Sequence, residues 1–405
     1  MARERRQLQP VNRIVAKINR THLTQPGSIC TEQRSHCDRT TSDLNNQREG
    51  RNPMSRLTVS ALAFCAGLFA ITGASAEECL KVTLTGTQGG PPVFQGQAGA
   101  GTLVQYGSAE NQCKDVQLQF DTGRGTTQRL SQAGVPVGQL DAIFITHLHS
   151  DHTEGLGDMM QLRWHFNSRG PKVDLVCSEE TRSPLGFALS CERFAAHIGD
   201  ALIKSGEMAQ RLAENNKRLP GGPADLIEVR DFKPSDDIAE VWSKGDVRVS
   251  AIRSTHIPGH ASYRVDTPAG SVVIGGDAGN DVRTPPRATS TSDQVETLSQ
   301  GADILVHSTI HPVMGPDGGT GFPPPIYFRQ SNASDLGSLA TRAGVKKLML
   351  THLIPPVGAA RQGPYKLPDG ALSENDYLDA VSASGFEGET VVGSDLASLT
   401  LSRTE

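Results

Sequence analysis

Residues 141–156 constrain the fold and the chemistry of this 405-residue chain more than any other stretch. An apolar run with strand-like residues, 141–146, ends abruptly in His147-Leu148-His149-Ser150-Asp151-His152. His147 and His149 are two positions apart, so they point the same way at an extended strand end, and a turn can bring Asp151 and His152 back toward them. Imidazole nitrogens with a carboxylate oxygen suit zinc, and also iron or manganese at a more open site. The spacing therefore predicts a metal site and argues against a polar loop with scattered histidines.

The first 76 residues predict an export signal. Residues 1–53 carry ten Lys/Arg against five Asp/Glu without a sustained apolar period, which is typical of a disordered or mis-annotated extension. Residues 54–76 then combine a short basic start, an apolar core and Ala74-Ser75-Ala76, the layout of a signal peptide. The alternative is a retained membrane anchor, but the apolar segment is short for a membrane span. We therefore expect a periplasmic or secreted protein, with no stable membrane anchor and a mature chain of residues 77–405.

The charge of the mature chain argues against a polyanionic partner. Residues 77–405 carry 28 Lys/Arg and 39 Asp/Glu, a net charge near −11, whereas the whole chain is at −5. A protein that binds nucleic acid through its overall charge needs the opposite sign. Nucleic acid is therefore disfavoured as a partner at this stage.

Four cysteines remain in the mature chain: Cys79, Cys113, Cys177 and Cys191. An even number in an exported chain is compatible with disulfides, and four cysteines allow three connectivities. Nearness in sequence favours the pairs Cys79–Cys113 and Cys177–Cys191. No Cys-x-x-Cys spacing supports a zinc ribbon.

Four further ligand-type residues each follow or end an apolar strand: His256, Asp277, His307 and His352. Strands of one sheet end along one edge, where sites of α/β proteins gather. Together with the histidine cluster they supply six or seven ligands, enough for two metal ions bridged by one carboxylate. Asp121 also ends a strand, and both a hydrogen bond to the metal loop and a turn or helix-capping role are open to it. Residues 178–245 have helical spacing over much of their length and predict a helical insertion, either a lid or a plain surface hairpin.

These motifs occur in an order that resembles the metallo-β-lactamase superfamily, and within it the ribonuclease Z and arylsulfatase-like branch. The matching pieces are 85–90, 120–126, 146–156, His256-Ile257-Pro258, Gly275-Gly276-Asp277, Leu305-Val306-His307 and Leu350-Thr351-His352. The resemblance implies an α/β fold, a four-layered αββα sandwich with the helical insertion. It also implies that His147, His149 and His256 bind one divalent ion, most commonly zinc, that Asp151, His152 and His352 bind the other, and that Asp277 bridges them.

Catalytic roles are expected for Asp151 and His307. Two divalent ions lower the pKa of a shared water, and Asp151 can help to orient the resulting hydroxide. The two ions have their full set of ligands without His307. We therefore expect His307 to contact a substrate oxygen or to protonate the leaving group, with a purely supporting role as the alternative. His260 and His311 rank lower, since both follow loop sequence.

The sequence departs from ribonuclease Z at two points. Ser308 follows His307 where that family has a glutamate, and no basic, glycine-rich arm suited to tRNA is present. With the acidic charge and the export signal, these departures favour an exported dinuclear hydrolase whose partner is a small-molecule ester: a sulfate ester, phosphodiester, lactone or carboxylic ester. The alternatives are a ribonuclease Z-type phosphodiesterase and a non-catalytic periplasmic metal-binding protein, and a homodimer is left open.

Overall fold

Two seven-stranded sheets form the centre of the protein, which the computed structural model describes over residues 77–215 and 217–403. The strands of the first sheet are β1 (Glu78–Gly86), β2 (Gly101–Ser108), β3 (Val116–Phe120), β4 (Ala142–Phe144), β5 (Val173–Ser178), β8 (Ile227–Phe232) and β18 (Ser398–Arg403). Their order is β18-β1-β2-β3-β4-β5-β8, and the pairs from β3 to β8 are parallel.

The second sheet has the same mixed character. Its strands are β9 (Ala239–Lys244), β10 (Val247–Arg253), β11 (Ala261–Thr267), β12 (Gly270–Ile274), β13 (Ile304–Ile310), β14 (Lys347–Ile354) and β17 (Glu389–Val392). Their order is β17-β14-β13-β12-β11-β10-β9, and the strands from β12 to β17 are parallel. Two small hairpins lie outside both sheets: β6 (Thr181–Arg182) with β7 (Ala188–Leu189), and β15 (Arg361–Gln362) with β16 (Tyr365–Lys366).

Helices cover the outer face of each sheet. The helices of the described residues are α1 (Thr126–Gln132), α2 (Ser150–Thr153), α3 (Leu156–Phe166), α4 (Cys191–Lys204), α5 (Met208–Glu214), α6 (Asp293–Leu298), α7 (Pro324–Tyr327), α8 (Ala333–Ala343) and α9 (Glu374–Ser382). Apolar residues of α1, α3 and α4 pack on the first sheet, and those of α6, α8 and α9 pack on the second. The predicted αββα sandwich is confirmed.

The inner core explains why the central strands read as unbroken apolar runs. In β4, Ala142 and Phe144 face the second sheet while Ile143 faces the helices, so both faces are buried. Phe144 stacks on Phe120 with ring centroids 4.6 Å apart. Each such buried side chain contributes roughly 1.5–3 kcal/mol. From the second sheet, the buried Tyr263 donates a 2.8 Å hydrogen bond to the carbonyl oxygen of Ile145, which joins the sheets two residues before His147.

Both predicted disulfides are present. Cys79–Cys113 joins β1 to the turn before β3, with Cα atoms 5.4 Å apart. Cys177–Cys191 joins the end of β5 to the first residue of α4, with Cα atoms 6.6 Å apart.

The segment 178–245 is helical only in its middle part. The helices α4 and α5 span Cys191–Lys204 and Met208–Glu214. The rest supplies the β6–β7 hairpin and the edge strands β8 and β9, one in each sheet. In β8 the alternation of Ile227, Val229 and polar residues is typical of an edge strand, a period-2 signal that the helical prediction overlooked.

The predictions for residues 1–53 and for the signal peptide at 54–76 lie outside the described residues. In the described part of the chain, no helix combines the length and the apolar character needed to cross a bilayer.

Candidate metal centre

Strand ends of both sheets bring the predicted ligands together. His147 and His149 follow β4, and Asp151 and His152 lie on the short helix α2 directly after them. From the second sheet come the residues after β10 and β12 and a residue within β14: His256, Asp277 and His352. Because β12 and β14 are both parallel to β13, their carboxyl ends lie at one edge of the second sheet, and the end of β4 in the first sheet lies beside them, as the distances between ligand atoms show.

His352 reaches the centre through a β-bulge. Thr351 pairs with Ser308, and Leu353 pairs with Thr309, so His352 is an extra residue without a partner on β13. Its φ of +47° lies in the left-handed region, which is costly for a residue with a side chain. Bulges re-aim side chains beside active sites, and this one turns His352 toward the other ligands.

The ligand atoms form two groups. His147, His149, His256 and Asp277 make up the first, and Asp151, His152 and His352 the second, with the ligand atoms of each group within 4.8 Å of one another. The Oδ2 atom of Asp277 also lies 3.5 Å from His152 Nε2 and 3.3 Å from His352 Nε2. Asp277 therefore contacts both groups, the position that a bridging ligand requires.

The chemistry of this donor set fits divalent cations. His149 Nδ1 lies 2.9 Å from His147 Nε2 and 3.2 Å from His256 Nε2, so three imidazole nitrogens converge on one point. His152 Nε2 and Asp277 Oδ1 are buried and have no hydrogen-bond partner among the described residues. Buried polar atoms without partners are costly, and a coordinated cation would satisfy them.

The protonation states also suit metal binding. Burial lowers the pKa of His147, His149 and His256, that of His256 to about 3, so these rings are neutral at neutral pH. Burial raises the pKa of Asp277, but the neighbouring His352 and His152 lower it by more. The pKa of this carboxyl group therefore lies well below its usual range.

The second group contains two histidines with the opposite shift. Burial lowers the pKa of His152 and His352, but the carboxylates around them, Asp277 first, outweigh burial and raise it. Asp151 behaves like Asp277: burial raises its pKa, and His152 and His352 lower it more. A divalent ion would displace protons from these two histidines, so metal binding releases protons here.

Asp121 orients two of the candidate ligands, His152 directly and His147 through Thr146. Its Oδ2 accepts 2.8 Å hydrogen bonds from His152 Nδ1 and Thr146 Oγ1, and its Oδ1 accepts one of 2.8 Å from the backbone N–H of Thr146. Thr146 Oγ1 in turn accepts from His147 Nδ1 at 3.0 Å. These bonds leave Nε2 of both histidines for a metal. Of the two roles that the sequence left open for Asp121, the structure has the hydrogen bond to the metal loop.

His260 supports the backbone of Asp277. Its Nε2 accepts a 3.1 Å hydrogen bond from Asp277 N–H, and its Nδ1 donates to Ser254 Oγ at 2.8 Å. Ser254 lies 2.7 Å from Ser262 Oγ, which donates to the carbonyl of Gly275 at 2.8 Å. Every donor in this series of hydrogen bonds has an acceptor, so His260 is held in the tautomer with its proton on Nδ1.

His307 and His311 differ in their surroundings. His307 is fully buried; its Nδ1 donates to the carbonyl of Ser308 at 2.7 Å, and its Nε2 has no partner among the described residues. Burial lowers the pKa of His307 to about 4. His311 uses Nδ1 to accept from Val313 N–H and Nε2 to donate to Asp376 O, so its ring supports a loop.

Two arginines beside the centre were missed in the sequence. Arg283 donates a 2.6 Å hydrogen bond to the carbonyl of His256. The charge of Arg329 contributes to the lowered pKa of His149 and His256, after burial. Both come from loop sequence with no apolar period or motif, so no local signal could have identified them.

Comparison with known proteins places these features among related chains. A protein-family model described as Anti-Pycsar protein Apyc1 matches residues 95–192, which include the histidine cluster. Ribonuclease Z of Mycobacterium bovis (strain BCG / Pasteur 1173P2) is 28% identical over 325 residues, 78% of this chain and 96% of the relative. Ribonuclease Z of Mycobacterium marinum is also 28% identical, over 78% of this chain and 97% of the relative. The metallo-β-lactamase fold protein YhfI from Bacillus subtilis aligns with a TM-score of 0.52 and 19% identity, over 80% of this chain and 99% of YhfI.

These relatives correct one expectation. The sequence argued for a small-molecule ester partner and against nucleic acid, and that prediction is wrong: the relatives that match almost their whole length are ribonucleases. The physical reason is that a net charge near −11 averages over the whole surface. It carries no information on the charge beside the metal centre, where Arg283 and Arg329 lie.

Proposed function

Because this chain belongs to the metallo-β-lactamase superfamily, in its ribonuclease Z-like branch, we propose that it is a metal-dependent phosphodiesterase that hydrolyses RNA. The observation that carries the proposal is the position of Asp277, whose Oδ2 lies within 3.7 Å of ligand nitrogens from both groups: His152, His256 and His352. One shared carboxylate between two ligand sets suits a dinuclear centre, the arrangement used for in-line displacement at phosphorus. The relatives that match most of this chain are ribonucleases Z.

The residues present would hold two divalent ions, with zinc favoured by the nitrogen-rich donor set and manganese or iron as alternatives. His147, His149 and His256 would hold one ion, Asp151, His152 and His352 the other, and Asp277 both. When bound, such a pair supplies Lewis acidity and a water of lowered pKa.

The protein's own groups have separate tasks in this proposal. Asp151, a carboxylate with a depressed pKa, accepts a hydrogen bond and so fixes the direction of the attacking water. In this proposal His307 has the supporting role that the sequence left open, because its ring is fully buried. With Nδ1 bonded to Ser308 O and a pKa of about 4, its Nε2 is a hydrogen-bond acceptor at neutral pH. His307 therefore does not protonate the leaving group, whose proton comes from solvent.

Metal analysis and cleavage assays test the proposal together. Purified protein should contain two divalent ions per chain and should cleave bis(p-nitrophenyl) phosphate and a precursor tRNA with a 3′ extension. Asp277→Ala should lose at least one ion and most activity, because it removes the only ligand shared by both groups. Asp266→Ala is the control, since Asp266 is a half-exposed carboxylate on β11 that pairs with Arg264.

Two results would contradict the proposal. Two ions in the Asp277→Ala protein would exclude the bridge. Two ions in the unaltered protein without cleavage of any phosphodiester or RNA would instead support the alternative of a non-catalytic metal-binding protein.

We also propose that the protein is exported. The support is the signal-like sequence of residues 54–76 and the two disulfides, which persist in oxidising compartments. Cell fractionation and N-terminal sequencing should find a periplasmic or secreted chain that begins at Glu77; a cytoplasmic chain that retains residues 54–76 would contradict export.

A further inference from the structure

A groove of about 590 Å³ opens beside the first ligand group. Its lining includes the ligand His256, Pro184 of the β6–β7 loop, and three basic residues, Lys233, Arg253 and Arg283. Glu179 and Glu180 also line it, and Glu180 is neutralised by Arg193 at 2.8 Å. Arg253 is paired with Asp236 at 2.7 Å, so the lining charges without an ion pair among the described residues are Lys233, Arg283 and Glu179, a net charge of +1 beside a metal ligand.

Arg283 lines this groove and contacts the metal ligand His256. Its Nη2 donates to the carbonyl of His256 at 2.6 Å, the one hydrogen bond of its side chain among the described residues. The guanidinium has five N–H donors, so most of them remain for a ligand. Arg283 is half-buried and forms no ion pair with a carboxylate in the described part of the chain.

Arg329 approaches the same region from another loop. Its carbonyl oxygen packs so closely on Gly279 that a Cβ at Gly279 would lie 2.4 Å from it. Gly279 N–H in turn donates to Thr255 O at 2.8 Å, so Arg329 is held against the segments that carry Asp277 and His256. Its Nε is buried and has no partner among the described residues.

The neighbouring Arg253 shows what these two arginines lack. Arg253 lines the same groove but pairs with Asp236 at 2.7 Å and with Asp281 at 3.7 Å. Burial of guanidinium N–H groups without a carboxylate partner costs hydration, and an anionic ligand would offset that cost. Guanidinium groups match phosphate oxygens in a bidentate geometry.

We propose that Arg283 and Arg329, the arginine pair, bind a phosphate group of the RNA next to the one that is cleaved. The proposal rests on the proposed function and names the part of the substrate that this side of the site recognises. The neighbouring phosphate is favoured because Arg283 contacts the main chain of His256 and not its imidazole, and because the groove that it lines includes His256 but no other candidate ligand. The pair thereby selects a polynucleotide over a simple diester.

The test compares a substrate with one phosphate and a substrate with several. Arg283→Gln and Arg329→Gln should each raise KM for a uridine octanucleotide about tenfold, the usual loss for one charge-assisted hydrogen bond. The loss of kcat/KM on bis(p-nitrophenyl) phosphate should be much smaller than the loss on the octanucleotide, and the metal content of each variant is measured so that activity is compared per bound ion. Arg248→Gln is the matched control, because Arg248 lies on β10 and forms an exposed ion pair with Glu240 of β9, so the substitution removes the same charge. Thermal melts confirm that each variant is folded.

A binding assay separates failure of this proposal from failure of the proposed function. Fluorescence anisotropy of a labelled octanucleotide with hydrolysis-resistant phosphorothioate linkages measures binding to the metal-loaded protein without catalysis. Each substitution should raise Kd about tenfold and reduce the slope of log Kd against log salt concentration by about 0.7. Unchanged Kd in both variants would overturn the proposal even if the protein cleaves RNA. Equal losses on both substrates would also overturn it, since the arginines would then act on the cleaved phosphate.

Discussion

Asp121→Asn is the most informative single substitution near the metal centre. The change keeps the shape of the side chain but replaces one acceptor oxygen with an NH₂ donor. Asp121 accepts from three donors: the backbone N–H and the hydroxyl of Thr146, and Nδ1–H of His152. In either orientation the asparagine NH₂ faces either Thr146 N–H or His152 Nδ1–H, so one buried donor loses its acceptor.

The expected size of the effect follows from this loss. An unsatisfied buried donor costs about 1–3 kcal/mol of folding stability. If His152 adapts by placing its proton on Nε2, the atom that faces Asp277 at 3.5 Å is no longer a free ligand. Substitution of such an orienting carboxylate typically lowers metal affinity 10–100-fold.

Two measurements check the prediction: competition for zinc with a chromogenic chelator, and urea unfolding of the metal-free protein. Asp141→Asn is the control. Asp141 also accepts a backbone N–H, from Gln117 at 2.9 Å, but it precedes β4 at the strand end opposite His147. It should lower stability without changing metal affinity. Zinc affinity of Asp121→Asn within twofold of the unaltered protein would refute the orienting role.

Two further predictions concern stability. Replacing both cysteines of Cys177–Cys191 by serine should lower the free energy of unfolding by about 3 kcal/mol, because the bond closes a loop of 14 residues. The same change at Cys79–Cys113, which closes a loop of 34 residues, should lower it by about 4 kcal/mol. Equal urea midpoints before and after reduction would show that the bonds contribute nothing. His307, whose pKa of about 4 is lower than in the unfolded chain, makes the folded state lose stability as the pH falls from about 6.5 to 4, since the unfolded chain takes up the proton first. The stability difference between the unaltered protein and His307→Asn should therefore shrink by about 3 kcal/mol between pH 7 and pH 4, and a constant difference would show that His307 does not titrate in this window.

The sequence predicted the features that depend on order along the chain. His256, Asp277 and His352 could be named as ligands because each lies at or just after the end of an apolar strand, and parallel strands share an edge. The disulfide pairs followed from nearness in sequence. The αββα layers followed from the resemblance, and the structure confirms them.

Features that depend on contacts between distant loops could not be predicted. Asp121 had two equally good roles until its distance to His152 was known, because a strand-end aspartate can cap a turn or accept from any nearby donor. Arg283 and Arg329 lie in loops without periodicity, and the acidic net charge pointed away from them. Whole-chain charge was a poor guide because specificity depends on a few side chains next to the reacting group.

The division of each ligand group between the two sheets has a consequence for how the protein would acquire metal ions. Each ligand group draws on both halves of the sandwich: His147 and His149 with His256 in one, Asp151 and His152 with His352 in the other. A half-molecule, or a folding intermediate with its sheets still apart, would lack a complete coordination shell for either ion. Binding of ions would therefore require the two sheets to be docked, and bound ions would link them, so that removal of metal should weaken the contact between the two sheets.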